Sequence, residues 1–184
     1  MRCHARRAAG TSLIEMMTVI AVSAVLAGAA AVALQDVGRG MKLSGHTYRL
    51  LSELNLARSE AIKRNARVVL CKSANGVTCI RTGGWEQGWI VFHDANNNAS
   101  REPNEALIRR SEGGLERYRI TGNDTVARYV SFSPFGGSRL TSGAFQAGTI
   151  TLCRESVERA EGRQLVINAV GRPRIHKVAL ASCS

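Results

Sequence analysis

An apolar stretch near the N-terminus constrains this chain more than any other feature. Residues 16–34 carry no charged side chain, and Glu15 is the single charge between residues 13 and 34. A helix rises about 1.5 Å per residue, so this stretch is long enough to cross about 30 Å of hydrocarbon. Arginines at positions 2, 6 and 7 precede it, and basic residues favour the cytoplasmic side of a bilayer. The sequence therefore predicts one membrane-spanning helix with a cytoplasmic N-terminus.

A candidate processing site lies before the apolar stretch, between Gly10 and Thr11. A secretory signal peptide is instead cut after its apolar core, so this segment is predicted to remain as an anchor. Cleavage would create an amine at Thr11 that can pair with the Glu15 carboxylate. Such a partner offsets the cost of a carboxylate in a membrane helix, about 2.5–3.5 kcal/mol. The alternative is that Glu15 reaches the polar interface without a partner.

These residues resemble the leader of type IV pilins and of the pseudopilins of type II secretion. The resemblance rests on Gly10, on Glu15 five residues later and on the apolar run that follows. It implies cleavage after Gly10 by a prepilin peptidase, methylation of the new amine, and a role for Glu15 in filament assembly. Thr11 departs from the family, in which Phe or Met usually stands first. The implied partners are major and minor pilins, an inner-membrane assembly platform and, before assembly, the lipid bilayer.

The pattern after the apolar stretch predicts an amphipathic helix followed by strands. Small and apolar residues recur at helical spacing at Leu50, Leu51, Leu54, Ala57, Ala61 and Ile62. From residue 67 the period shortens to two, which predicts strands at 67–71, 89–93, 106–110, 126–133, 145–153, 163–170 and 174–180. We expect a leader at 1–10, a transmembrane helix at 11–36, an amphipathic helix at 37–66 and a β-rich domain at 67–184. The expected fold class is α+β, with the helix packed on two antiparallel sheets in a sandwich-like domain.

The cysteines predict disulfides in an exported domain. One of the 5 cysteines lies in the leader, and Cys71, Cys79, Cys153 and Cys183 remain after cleavage. Four cysteines allow three connectivities. Asn75-Gly76, a hairpin turn signal, lies between Cys71 and Cys79, which favours that pair and leaves Cys153 with Cys183.

Four later segments narrow the resemblance to the FimT/GspH branch of minor pilins and pseudopilins. They are residues 57–61, 84–94, 131–136 and 163–174, in that order. The resemblance implies a pilin fold and location first in the inner membrane, then in a pilus in the periplasm or at the cell surface. A FimT-like protein would bind extracellular DNA non-specifically for natural transformation, from within the pilus or at its tip. The alternative is a GspH-like pseudopilin, or a structural minor pilin, that primes filament assembly or type II secretion without binding DNA.

The C-terminal region is basic and holds the candidate DNA-binding residues. The chain has 25 basic and 14 acidic residues, and none of the acids follows Glu161. Candidates for binding double-stranded DNA are Arg163, Gly171, Arg172, Arg174, His176 and Lys177. Gly171 allows a tight turn, and a guanidinium suits phosphate because it offers a planar pair of donors. This segment resembles the GRxR motif of FimT proteins, at Gly171, Arg172 and Arg174. The alternatives are solvated arginines of an ordinary hairpin, or a patch that docks on an acidic pilus neighbour.

Other chemistries find less support in the sequence. The oxygen-bearing residues Asp94, Asn96, Asn98 and Glu105 imitate a calcium-binding loop, but position 99 is Ala where such a loop has Gly. We expect no metal, no cofactor and no enzymatic activity, since nucleophile, phosphate-loop and metal-ligand motifs are not found. Aromatic residues make up 5% of the chain, which argues against an extensive base-stacking surface.

Overall fold

The computed structural model describes residues 12–115 and 117–183, with the backbone alone at 29–37 and 39. These residues form one α-helix, a short 3₁₀ helix at Trp85–Gln87 and eight strands. The helix α1 comprises Leu13–Arg64. The strands are β1 (Val68–Lys72), β2 (Gly88–His93), β3 (Leu107–Glu112), β4 (Tyr118–Gly122), β5 (Tyr129–Phe132), β6 (Gly148–Arg154), β7 (Ala160–Ile167) and β8 (Pro173–Leu180).

The chain divides into two compact units, Met1–Met41 and Lys42–Ser184. In the first unit, Glu15 lies in the first turn of α1 with an exposed side chain. The predicted processing site at Gly10 and Thr11 lies outside the described residues. Among the residues that were described, we find no helix with the length and apolarity needed to cross a membrane, so the predicted span is not confirmed.

In the second unit, the helix buries the face that its sequence pattern predicted. Leu50, Leu54, Ala57 and Ala61 are each 0% exposed and recur every three or four residues, which places them on one side of the helix. The helix ends where Asn65 adopts a positive φ of 49° and the Ala66 amide donates to the Ala61 carbonyl at 3.2 Å. This is the left-handed arrangement that commonly terminates helices.

Two four-stranded antiparallel sheets form the rest of the unit, as predicted. The first has the order β3-β2-β1-β5 and the second β4-β6-β7-β8. The prediction missed β4, because glycines on both sides of this short segment suggested turns; its pairing with β6 makes it a strand. The predicted strand at 126–133 begins only at Tyr129, since the Val126 amide donates to the Asn123 carbonyl in a turn at 2.8 Å.

The main core lies among the helix and the inner faces of both sheets. Trp85 and Trp89 are fully buried in it, and the Trp85 indole donates to the Val126 carbonyl at 3.2 Å. Every buried apolar residue of the described chain falls between Leu43 and Cys183. Residues 42–184 therefore contain a complete core and are expected to fold as an independent domain.

Both favoured disulfides are present. Cys71 in β1 is bonded to Cys79, with Cα atoms 5.7 Å apart, and holds the loop after β1 against the first sheet. Cys153 in β6 is bonded to Cys183, with Cα atoms 6.0 Å apart, and ties the chain after β8 back to the second sheet. Each bridge constrains the unfolded chain and so stabilises the domain.

Candidate nucleic-acid interface

The candidate arginines follow a tight turn between β7 and β8. The Gly171 amide donates to the Asn168 carbonyl at 2.8 Å, and the Arg172 amide donates to the Asn168 side-chain oxygen at 3.0 Å. Gly171 has a φ of 74°, in the left-handed region that glycine adopts at little cost. Pro173 opens β8 directly afterwards and fixes the backbone there. The turn therefore has a defined shape that the sequence specifies locally.

A second turn, which follows β5, packs against this one and clamps it. A Cβ at Gly171 would overlap the carbonyl oxygen of Gly136, and the Ser138 hydroxyl donates to the Asn168 carbonyl at 2.8 Å. From the helix, the Arg58 Nε donates to the same Gly136 oxygen at 2.8 Å. The segment before Arg172 is thus held by contacts from α1 and from the chain after β5.

Arg172 and Arg174 are both exposed beside this clamped turn. Arg174 and His176 lie on the outer face of the second sheet, because the intervening Ile175 packs towards the core. The ion pairs of the described residues engage Glu60, Glu86, Glu155 and Glu161, and none of them includes Arg172 or Arg174. Their guanidinium groups are therefore available to an external anion.

Arg163 does not belong to this exposed group. It is 6% exposed, its guanidinium donates to the Gly162 carbonyl at 3.0 Å, and it lies 3.6 Å from the Glu161 carboxylate. Alternation along β7 explains the difference, since Arg163 shares a face with the buried Leu165 and Ile167. That same alternation was readable in the sequence and would have placed Arg163 inside.

Lys177 is also separated from the other candidates. It is exposed, but in the sheet register it pairs with Arg163, whereas Arg174 pairs with Val166. Cross-strand partners share a face, so Lys177 lies on the opposite side of the second sheet from Arg174 and His176. The structure brings together Gly171, Arg172, Arg174 and His176, and not the full predicted set.

The loop after β2 engages its own acidic groups. The Asp94 carboxylate accepts the amides of Asn98 at 3.1 Å and Ala99 at 3.0 Å. The Glu105 carboxylate accepts the amides of Ala95 at 2.8 Å and Glu102 at 3.1 Å, and burial raises the pKa of Glu105. These hydrogen bonds fix the shape of the loop.

A metal site is not apparent there. Within the described part of the chain there is no group of three or more His, Cys, Asp or Glu side chains that could hold a metal. The side-chain oxygens of Asn96 and Asn98, the other two calcium candidates, also accept backbone amides of the loop, at 3.1 and 2.7 Å. We therefore do not include calcium in the proposed function.

An exposed aromatic residue next to the arginine turn was missed by the sequence reasoning. Phe135, in the turn that contacts Gly171, is 93% exposed, and Val170 is 61% exposed. The run Pro134-Phe135-Gly136-Gly137 carries the signal, because an aromatic side chain between turn-forming residues can be left outside the core.

Comparisons with known proteins identify what the chain resembles. The family model described as type II transport protein GspH matches residues 46–171, more than half of the chain. This match includes Gly171 and ends before Arg172. The comparison with curated protein sequences gives no significant match.

The fold is similar to that of a type IV minor pilin, FimU of Pseudomonas aeruginosa PAO1. One crystal form superposes with a TM-score of 0.57 at 19% identity, covering 78% of this chain and 96% of FimU. A second crystal form gives a TM-score of 0.55 at 19% identity and covers 77% and 100% of the two chains. Identity this low shows a shared pilin-like fold, and leaves the role of the arginines to be argued from the site.

Proposed function

Because the chain belongs to the GspH family of type IV minor pilins and pseudopilins, we propose that it is a minor pilin that binds DNA. Membership implies association with other pilins in a filament of the cell envelope. DNA binding is the further step, and we assign it to Arg172 and Arg174, with His176 beside them. The FimT-like function predicted from the sequence, DNA uptake in natural transformation, would follow from such binding.

One observation carries this proposal: Arg172 and Arg174, which take part in none of the ion pairs of the described residues, are exposed beside a turn that is clamped from two sides. A rigid turn loses little conformational freedom when a ligand binds, which increases the affinity that each contact contributes. Each guanidinium can donate two parallel hydrogen bonds to phosphate oxygens. Contacts of this kind recognise the backbone and carry no base code, so binding would be independent of sequence.

The route to the filament is proposed from the N-terminal sequence. A prepilin peptidase would cleave between Gly10 and Thr11, and the apolar stretch would hold the subunit in the inner membrane until the assembly platform transfers it to the pilus. Glu15 is exposed in the described part of the helix and would pair with the amine of the mature N-terminus in the filament.

The alternative function is a pseudopilin or structural minor pilin that binds protein alone. The matching family model favours it, because its description names a type II transport protein and its match excludes Arg172 and Arg174. In that case the arginines would face an acidic surface of a neighbouring subunit, and the isolated domain would not bind DNA.

The distinguishing experiment measures DNA binding by residues 42–184 with oxidised disulfides. A fluorescent random-sequence duplex is titrated at several salt concentrations. Contacts with two to three phosphates, through Arg172, Arg174 and His176, predict a slope of log K against log salt of about −2 to −3. Arg172→Ala with Arg174→Ala should weaken binding at least about tenfold and make that slope shallower by about two.

A matched control uses two other exposed arginines, Arg117 and Arg159, which precede β4 and β7 at the opposite end of the second sheet. Their double alanine variant removes the same charge and should bind almost as wild type. Equal affinity of the Arg172/Arg174 variant and wild type would overturn the proposal. If both double variants lose DNA affinity equally, the binding reflects the net charge of the domain and not a site at Arg172 and Arg174.

A further inference from the structure

The exposed ring of Phe135 is held in position by its own turn. The Gly136 amide donates to the Ser133 carbonyl at 2.8 Å, and the Ser133 amide donates to the Gly137 carbonyl at 2.9 Å. Arg58 fixes the Gly136 oxygen from the helix side. A phenyl ring that is 93% exposed on such a constrained turn is presented to the surroundings at low entropic cost.

The ring borders an open groove that is apolar and free of acidic residues. The groove encloses about 470 Å³ and is lined by Ser133, Pro134, Phe135, Gly137, Arg139, Gly143, Phe145, Ala169 and Val170. Phe145 is 61% exposed, and the guanidinium carbon of Arg139 lies 4.0 Å from the centroid of its ring. We call this the Phe135 groove. Its only charged lining residue is a cation, which suits an anionic occupant with a flat apolar part.

The groove and the arginine turn are parts of one surface. Val170 lines the groove and is separated from Arg172 by Gly171, where even a Cβ would overlap the Gly136 carbonyl next to Phe135. Phe135 and Arg172 therefore each lie one residue from this backbone contact, which places the exposed ring beside the arginine turn. Proteins that bind single-stranded nucleic acid combine these two elements, since a cationic surface follows the backbone and bases stack on aromatic rings.

We propose that this surface takes an unpaired nucleotide of DNA, with its phosphate at Arg172 and its base stacked on Phe135. This inference rests on the proposed DNA binding and names the form of DNA preferred. The bases of an intact duplex are stacked on one another and cannot reach Phe135, so a single strand or an unpaired end gains a contact that a closed duplex lacks. The Phe135 ring accommodates one base, whereas the face of the Phe145 ring is covered by the Arg139 guanidinium.

The test compares two DNA probes on residues 42–184: a twelve-nucleotide thymidine strand, and a duplex dumbbell whose two ends are closed by polyethylene glycol linkers so that it contains no unpaired base. Phe135→Ala should weaken binding of the single strand about 5- to 160-fold, the range expected for loss of one stacked base. Binding of the dumbbell should change less than about twofold, because phosphate contacts dominate it. Phe135→Trp should retain the single-strand affinity, because it keeps an aromatic face.

Val157→Ala is the matched control, since Val157 is also 93% exposed and lies in the segment between β6 and β7. It should leave both affinities unchanged. If Phe135→Ala changes neither affinity while Arg172→Ala with Arg174→Ala lowers both, the stacking inference fails and the proposed DNA binding remains. If Phe135→Ala lowers both affinities equally, the ring supports the turn instead of a base, and the inference also fails. A domain that binds neither probe removes both proposals and favours a protein occupant of the groove.

Discussion

Replacing Gly171 by alanine should destabilise the domain more than its backbone conformation alone requires. Gly171 has a φ of 74°, and a non-glycine residue in that region loses about 1–2 kcal/mol. The added Cβ would also overlap the Gly136 carbonyl and approach the Ser138 amide nitrogen at 3.2 Å. Forcing packed backbone segments apart typically costs about 1–3 kcal/mol more. We therefore expect Gly171→Ala to lower the free energy of unfolding by about 2–5 kcal/mol.

Gly143 provides a control that separates the two effects. Its φ is 85°, and no atom lies within 4 Å of a Cβ placed there. Gly143→Ala should therefore lower the free energy of unfolding by about 1–2 kcal/mol, the backbone term alone. Alanine also reduces the entropy of the unfolded chain, but this gain is common to both variants and cancels in their difference.

Urea unfolding of residues 42–184 at neutral pH measures that difference. With a denaturant slope of about 2 kcal/mol per molar, the extra loss at position 171 should lower the midpoint by a further 0.5–1.5 M or so. The same variant should bind DNA more weakly, because the turn that carries Arg172 must move away from Gly136. If Gly171→Ala costs no more than Gly143→Ala, the two turns do not clamp each other, and the rigidity assigned to the arginine turn is wrong.

Two further predictions concern stability. Burial, and then the charges of Arg49 and Lys42, lower the pKa of His46 in the folded protein. As the pH falls, His46 is therefore protonated in the unfolded chain before it is protonated in the folded protein. The stability contributed by neutral His46 is fully present above about pH 6.5 and is lost as the pH falls through the folded-state pKa. Between pH 7.5 and 5.5, the urea midpoint of His46→Phe should therefore fall less than that of the wild-type domain. The Cys153–Cys183 bridge joins residues 30 apart in the sequence. Replacing both cysteines by alanine should lower the free energy of unfolding by about 3–4 kcal/mol. An unchanged urea midpoint would contradict that estimate.

The helix and the sheets could be predicted because their signals are local and periodic. Leu54 and Ala61 repeat at helical spacing, and each packs in the core as that spacing requires. Asn75-Gly76 predicted the short loop closed by Cys71 and Cys79. The weakest element, β4, was missed because a five-residue strand that itself ends in a glycine carries too little periodic pattern. Its partner β6 supplies the hydrogen bonds that define it.

The candidate site was predicted in part. Arg172 and Arg174 were identified from a turn signal and from charge, both of which are local. Arg163 was included on charge alone, and the phase of β7 buries it instead. Phe135 was overlooked because an aromatic side chain is usually buried, and the turn-forming residues around it were read only as a boundary between strands.

The sequence by itself determined the class of this protein. Its signals are an apolar N-terminal stretch, an amphipathic helix, alternating strands, four cysteines able to form two disulfides, and a basic C-terminal turn. Each of these depends on neighbouring residues, whose spacing decides what a helix or strand can bury. The tertiary structure decided which charged and aromatic groups share a surface. Phe135 and Arg172 become neighbours only because the turns after β5 and β7 touch at Gly136 and Gly171, a contact between distant parts of the chain that no local pattern encodes.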